Sequence, residues 1–164
     1  MADIRHTVLS SPVGELLLTA SDDGLTGLQF SPHLAGPDDR GQRDDAAFSA
    51  VVGQLEEYFA GRRTRFDLHL SPAGTPFQRR VWDAIADIPY GTTVSYGTVA
   101  SRIKRPTAAR AVGMATGRNP IAIIVPCHRV VGADGSLTGF GGGLDRKTIL
   151  LELEARTTAG ASND

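Results

Sequence analysis

Short apolar runs separated by turn residues open the chain, at Thr7 to Leu9, Glu15 to Thr19 and Leu25 to Phe30, with Ser11-Pro12-Val13-Gly14 and Asp23-Gly24 between them. Strands joined by tight turns produce this pattern, so an antiparallel meander is expected. The polar segment Ser31 to Asp45 has no readable period. From Ala46 to Ala60, Phe48, Val51, Val52, Leu55, Tyr58 and Phe59 recur at helical spacing, and Gly61 supplies a stop. Arg65 to Leu70 alternates polar with apolar residues, as a half-buried strand does, before Ser71-Pro72-Ala73-Gly74 breaks the chain.

Helical spacing dominates from Thr75 onward. Thr75-Pro76-Phe77-Gln78 carries a cap, a proline at the first helical position and a glutamine able to return to the cap amide. Phe77, Val81, Ala84, Ile85 and Ile88 then line one face, and Pro89-Tyr90-Gly91 ends it. Ser95 can cap a short helix with Tyr96, Val99, Ala100 and Ile103 at i, i+3, i+4 and i+7, which Lys104-Arg105-Pro106 breaks. Thr107 can cap the next helix, with Ala108, Ala111, Val112 and Ala115 inside and Gly117 at its end. The pair predicts a helix-turn-helix, against the plainer reading of an ordinary helical hairpin. Ala108, Ala109, Ala111, Gly113 and Ala115 leave room for close backbone approach, and Arg110 protrudes from the first turn, which suits a narrow groove.

The expected fold class is mixed α+β: a small N-terminal antiparallel sheet with a helix over residues 1–72, then a mostly helical domain over 73–156 with a helix-turn-helix and a short active-site strand. Residues 157–164 are expected to be an unstructured tail.

Composition narrows the function classes. With 41% hydrophobic and 21% charged residues, the chain suits a soluble globular protein rather than a disordered or membrane one. No apolar stretch is long enough to span a bilayer, and no signal-peptide core opens the chain, so the cytoplasm is the expected compartment. A single cysteine excludes an internal disulfide and any metal site of clustered thiolates. The net charge of −1 hides segregation, because no acidic residue lies between Asp87 and Asp134, where Arg102, Lys104, Arg105, Arg110, Arg118 and Arg129 fall. A phosphate-binding face requires such a distribution.

The cysteine stands at the end of Ile121-Ala122-Ile123-Ile124-Val125, an apolar, mostly β-branched run that predicts a buried strand delivering Pro126-Cys127-His128-Arg129. Two readings stand side by side. Cys127 is a small buried hydrophobe, or it is a nucleophile whose thiolate is favoured by His128 and Arg129. Neighbouring extended residues point to opposite faces, so contact between Cys127 and His128 needs a turn at Pro126 or a bridging water. Further on, Asp145 can cap a last helix anchored by Ile149, Leu150 and Leu153. Glu154 lies on the inner face of that helix or on its solvated side; if inside, it needs a donor such as an imidazole.

Pro126-Cys127-His128-Arg129-Val130, with Asn119-Pro120, Ala109-Arg110-Ala111-Val112-Gly113 and Ser95-Tyr96 upstream and Gly142-Gly143-Leu144 downstream, resembles the O6-alkylguanine-DNA alkyltransferases, strongly from Thr75 to about Glu154. The resemblance implies that Cys127 accepts an alkyl group once, directly from O6-alkylguanine in double-stranded DNA, with O4-alkylthymine as a second candidate lesion. His128 would act through a water and Glu154 would orient it, while Asn119 braces the turn before the strand. Tyr96 would donate a proton toward the leaving guanine, and Arg110 would enter the base stack. Ser95, Thr107, Ala108, Ala109, Arg118 and Arg129 would complete the DNA surface, and Val130, Phe140, Gly141 and Tyr96 the base pocket, closed by the loop Ser136 to Gly143. Phe140 and Gly141 depart from the tyrosine and serine found in some members, which shifts polar contacts onto Tyr96 and backbone amides. Neither metal nor cofactor is expected, and the protein is expected to be a monomer. Two competing readings are a non-enzymatic protein that binds alkylated DNA and recruits repair machinery, which would not need Cys127, and a cysteine hydrolase, whose local signatures are missing here.

Overall fold

The computed structural model describes residues 3–31, 40–137 and 143–162. The chain divides into two compact units, Met1–Ala73 and Gly74–Asp164. In the first, strands β1 (Arg5–Ser11), β2 (Gly14–Ser21) and β3 (Gly24–Phe30) form the meander, β1 and β2 longer at both ends than the apolar runs suggest and β3 longer by one residue at its start. A two-residue strand β4 (Gln42–Arg43) adds in parallel beside β1, giving the order β3-β2-β1-β4. Consecutive Leu16, Leu17 and Leu18 are all buried, so both faces of the central strand are covered. Helix α1 (Ser49–Phe59) follows a single 3-10 turn and buries Val51, Leu55 and Tyr58.

The strand expected over Arg65 to Leu70 does not form; only Leu70 bridges to Leu25. Burial still alternates along the segment, but Asp67 satisfies its backbone through the Gln54 side chain, donating to Oε1 at 2.9 Å and accepting from Nε2 at 3.0 Å. A side-chain amide thus replaces a neighbouring strand. Gly24, at φ +138°, brings β3 so close that a Cβ would lie 2.6 Å from the His69 carbonyl oxygen.

The second unit begins with helix α2 (Pro76–Ala86), whose capping box between Thr75 and Gln78 is complete. Val81, Ile85 and Ile88 are buried, as is Trp82, whose indole N–H donates to the Ala115 carbonyl at 2.8 Å. Strand β5 (Val94–Ser95) leads into α3 (Tyr96–Arg102), capped by the Ser95 hydroxyl. Helix α4 (Ala109–Gly117) packs beside it, and Arg80 donates to the Ile103 carbonyl at 2.6 Å, tying α2 to the end of α3. Thr107 does not cap α4: a turn closed by the Ala108 amide on the Arg105 carbonyl makes Ala108 the first flanking residue. Nor is Ala111 an inner residue; it is exposed, and Val112, Ala115 and Thr116 form the buried stripe.

Strand β6 (Val130–Val131) pairs in parallel with β5, which sets the start of α3 beside the segment containing the cysteine. Helix α5 (Leu144–Ser162) closes the unit. Asp145 lies inside its first turn rather than capping it, and Ile149 is exposed while Leu150 is fully buried. The helix also runs through residues 157–162, for which the sequence pattern predicts an unstructured tail; the Thr157 and Thr158 hydroxyls return to the Leu153 and Glu154 carbonyls and keep that turn wound.

Candidate active site and the helix pair beside it

Ile121 to Val125 is buried throughout, as its composition predicts, yet it is not a strand. The Ile124 amide donates to the Ala122 carbonyl at 2.8 Å around Ile123, whose φ is +71°, so the run folds into a γ-turn of a strained kind. The Val125 amide closes a wider turn on the Ile121 carbonyl. Asn119 braces this loop from within: its amide nitrogen donates to the Val125 carbonyl at 2.8 Å, and its oxygen accepts from the Ile121 amide at 3.0 Å. Apolar β-branched residues do not choose between strand and turn when no partner strand is within reach, and here Asn119 satisfies the backbone instead.

A second tight turn follows at Pro126 (φ −80°, ψ 65°), and Cys127–Arg129 form a 3-10 turn. The chain is therefore not extended at Cys127 and His128, which removes the geometric objection to their cooperating. His128 is fully buried, and Nε2 lies 2.6 Å from Glu154 Oε2. With a carboxylate as partner, Nε2 carries the proton and Nδ1 presents its lone pair. Nδ1 is buried and has no hydrogen-bond partner among the described residues.

Glu154 is the hub of the site. Besides His128, it accepts from Arg129 Nε at 2.8 Å and Nη2 at 3.0 Å and from the Gly91 amide at 3.1 Å. Burial opposes its ionisation, but the hydrogen bonds from His128 and Arg129 prevail and hold its pKa down to about 2. The same burial lowers the His128 pKa, against the pull of Glu154, so the imidazole is kept neutral. Burial also pushes the Cys127 thiol up, only partly offset by Asn119 and by the charge of Lys147. The resting group is a thiol, which corrects the expectation of a thiolate favoured by His128 and Arg129.

Arg129 does not belong to an exposed basic surface. It is 6% exposed, engages Glu154 through two nitrogens, donates to the Ile88 carbonyl at 2.8 Å and stacks over the Tyr90 ring. Lys147 stands outside the residues that the sequence singles out: it is 1% exposed and donates to the Val130 carbonyl at 2.6 Å. Its signal is present as register, since Lys147, Leu150 and Glu154 stand at i, i+3 and i+7 on one face of α5. Trp82 and the Gly91 amide escape the sequence reading too; neither has a pattern to announce it.

The helix pair flanks this centre. Tyr96, in the first turn of α3, packs on α4 where Gly113 leaves space, and a Cβ there would meet the ring at 3.8 Å. Arg110, Ala111, Met114, Gly117 and Arg118 form the exposed face of α4, and Arg102, Lys104 and Arg105 are exposed just before it. Ser95 caps α3, Thr107 is exposed, Ala108 and Ala109 are half-buried at the start of α4, and Val130 is buried directly after the 3-10 turn. Phe140 and Gly141, with most of the expected closing loop, fall outside the described residues. Among the described residues no group of three or more His, Cys, Asp and Glu side chains could hold a metal ion.

Comparison with known proteins agrees with this geometry. Residues 76–156 match the family model for the DNA binding domain of 6-O-methylguanine DNA methyltransferase, and residues 4–72 match that for its ribonuclease-like domain. The chain is 53% identical over 152 residues to the methylated-DNA–protein-cysteine methyltransferase of Mycobacterium tuberculosis, covering 92% of each, and 47% identical over 152 residues to that of Methanosarcina acetivorans, covering 91% of this chain and 97% of that protein. It superposes with a TM-score of 0.87 on the crystal structure of the M. tuberculosis protein in complex with DNA, at 51% identity over 94% of this chain and 93% of that one. A solvent-shielded thiol in one 3-10 turn with a glutamate-paired histidine, beside a basic helix-turn-helix, is thus found in a chain that belongs to the methylated-DNA–protein-cysteine methyltransferase family.

Proposed function

We propose that the protein repairs duplex DNA by moving the alkyl group of O6-alkylguanine onto Cys127 in a single irreversible step. The observation that carries this is the buried pair of His128 and Glu154, with His128 in the same 3-10 turn as the lone cysteine and the lone pair of Nδ1 uncommitted among the described residues. Nδ1 takes the thiol proton through a water, and Glu154 stabilises the imidazolium that results. The sulfur attacks the alkyl carbon, and the carbon–oxygen bond breaks with its electron pair going to the guanine. Tyr96 gives a proton to the departing base and is reprotonated from the imidazolium, so the thiol proton ends on guanine. No tetrahedral oxyanion forms at a saturated carbon, so the site needs a nucleophile and an acid for the leaving group rather than an oxyanion hole.

The O6 atom is on the pairing edge of guanine, so the base must leave the helix, at a cost of a few kcal/mol. Arg110 fills the gap, with Ala108, Ala109 and Thr107 against the groove and Ser95 and Arg118 on phosphates; Val130 lines the base pocket. Nucleophile, base and carboxylate all sit in the Gly74–Asp164 unit, so one molecule carries every group the reaction needs. No described helix is long and apolar enough to cross a membrane. A recruiting protein without chemistry has no use for a buried cysteine next to a buried histidine–glutamate pair.

Intact-mass spectrometry after incubation with an O6-methylguanine duplex tests the reading. One added methyl on Cys127 is expected, and none on Cys127→Ala, which should keep most of its DNA affinity because phosphate contacts dominate binding. Unmodified wild-type protein after complete mixing with the damaged duplex would sink the assignment.

A further inference from the structure

We propose that Lys104 is a DNA-phosphate contact built into the turn of the helix-turn-helix and retained there despite a strained backbone. Helix α3 ends with the Lys104 amide on the Ser101 carbonyl at 3.0 Å and the Arg105 amide on the Ala100 carbonyl at 2.8 Å. That pair of bonds defines a helix terminus whose first outside residue adopts the left-handed conformation, the place where glycine is favoured because it has no Cβ. Lys104 occupies it at φ +63°.

Elsewhere among the described residues, positive φ is met by glycine at seven positions, and the one other exception is Ile123. Ile123 is 1% exposed, so its side chain contributes packing at the active site. Lys104 is exposed and adds nothing to the core that a glycine would not. A glycine would hold the same two bonds with less strain, so the gain that offsets the strain lies outside the folded chain.

Charge identifies the partner. The turn sits in the stretch without acidic residues, between exposed Arg102 and Arg105 and immediately before the exposed face of α4 that carries Arg110 and Arg118. A fixed cation on a tight turn, at the edge of a helix facing a groove, fits the phosphate backbone flanking that groove. The inference rests on the DNA-binding reading above and adds one residue to it.

The test uses the full chain with Lys104→Gly and Lys104→Arg, measuring thermal melting and affinity for an undamaged duplex across a salt series. The glycine variant should melt about 2–4 °C higher. Its plot of log affinity against log salt should be shallower by about 0.9, with affinity at about 0.1 M salt down roughly five- to tenfold. Lys104→Arg should keep the wild-type slope. A glycine variant with an unchanged slope overturns the contact, and one that melts no higher overturns the strain. Wild-type binding that ignores salt would instead overturn the DNA reading itself, so the two failures are distinguishable.

Discussion

Three protonation equilibria meet within the 3-10 turn and α5, and their directions decide when the thiol reacts. Burial keeps Cys127 protonated and His128 neutral, while Glu154 stays ionised with a pKa of about 2. Transfer therefore requires His128 to accept a proton from a reluctant donor, and the rate should climb with pH through neutrality. Lys147 is the nearby cation that eases this step. Lys147→Met should move the rising limb of the pH–rate profile to the alkaline side; a profile that keeps its position at a lower plateau would mean Lys147 is only structural. Stability has its own pH window. His128 has its pKa depressed below 6.5 and Glu154 below 4.5, so both contribute stability that is present above those values and lost as pH falls toward their folded pKa values. Denaturant midpoints should fall from just below neutrality, and Glu154→Gln should flatten the acid limb between about 4.5 and 2 while lowering stability throughout, because Arg129 is left buried without a counter-ion. The spacing of Glu154 from Leu150 and Leu151 allows an inward register without deciding it, and its burial among donors decides it. Lys147 and the burial of Arg129 are not, since long cations are ordinarily solvated and only a three-dimensional partner explains their burial.

Elements show a similar division. The meander, the capping box at Thr75 and the existence of the helix pair declare themselves through local patterns, although the cap and inner stripe of α4 do not, since Ala108 replaces Thr107 as the cap and Ala111 is exposed. The segment Ile121 to Val125 does not, because its conformation depends on Asn119 offering a carbonyl and an amide at the required spacing. Helix α4 carries a more direct consequence. Arg110 is exposed in its first turn, on the same face as Met114 and Arg118. Arg110→Ala should slow repair of O6-alkylguanine in duplex DNA by a large factor and reaction with free O6-benzylguanine far less, since only the duplex requires extrusion. Single-turnover rates on both substrates decide it. Equal losses would place Arg110 in the chemistry or the fold.

For the whole molecule, the product determines stoichiometry. A thioether on Cys127 is not activated toward water, and the chain has no second cysteine for exchange. Repaired bases should plateau at one per molecule when damaged duplex is titrated past protein, and turnover beyond one equivalent would contradict the mechanism. Cys127 is 6% exposed, with Val125 and Val130 buried beside it in the sequence, so the added group must expand a filled region at roughly 1–3 kcal/mol. The spent protein should melt several degrees below the unreacted form.

The four hydrogen bonds converging on Glu154 also set an order of assembly. During synthesis the nucleophile, its imidazole and Arg129 all leave the ribosome before the carboxylate that completes them. Until α5 docks, the guanidinium that it will neutralise lacks its Glu154 partner, and burying it unpaired opposes closure of the cysteine turn. A half-made chain is thereby kept from presenting a finished trap, and a molecule that can react only once is not spent before it has folded.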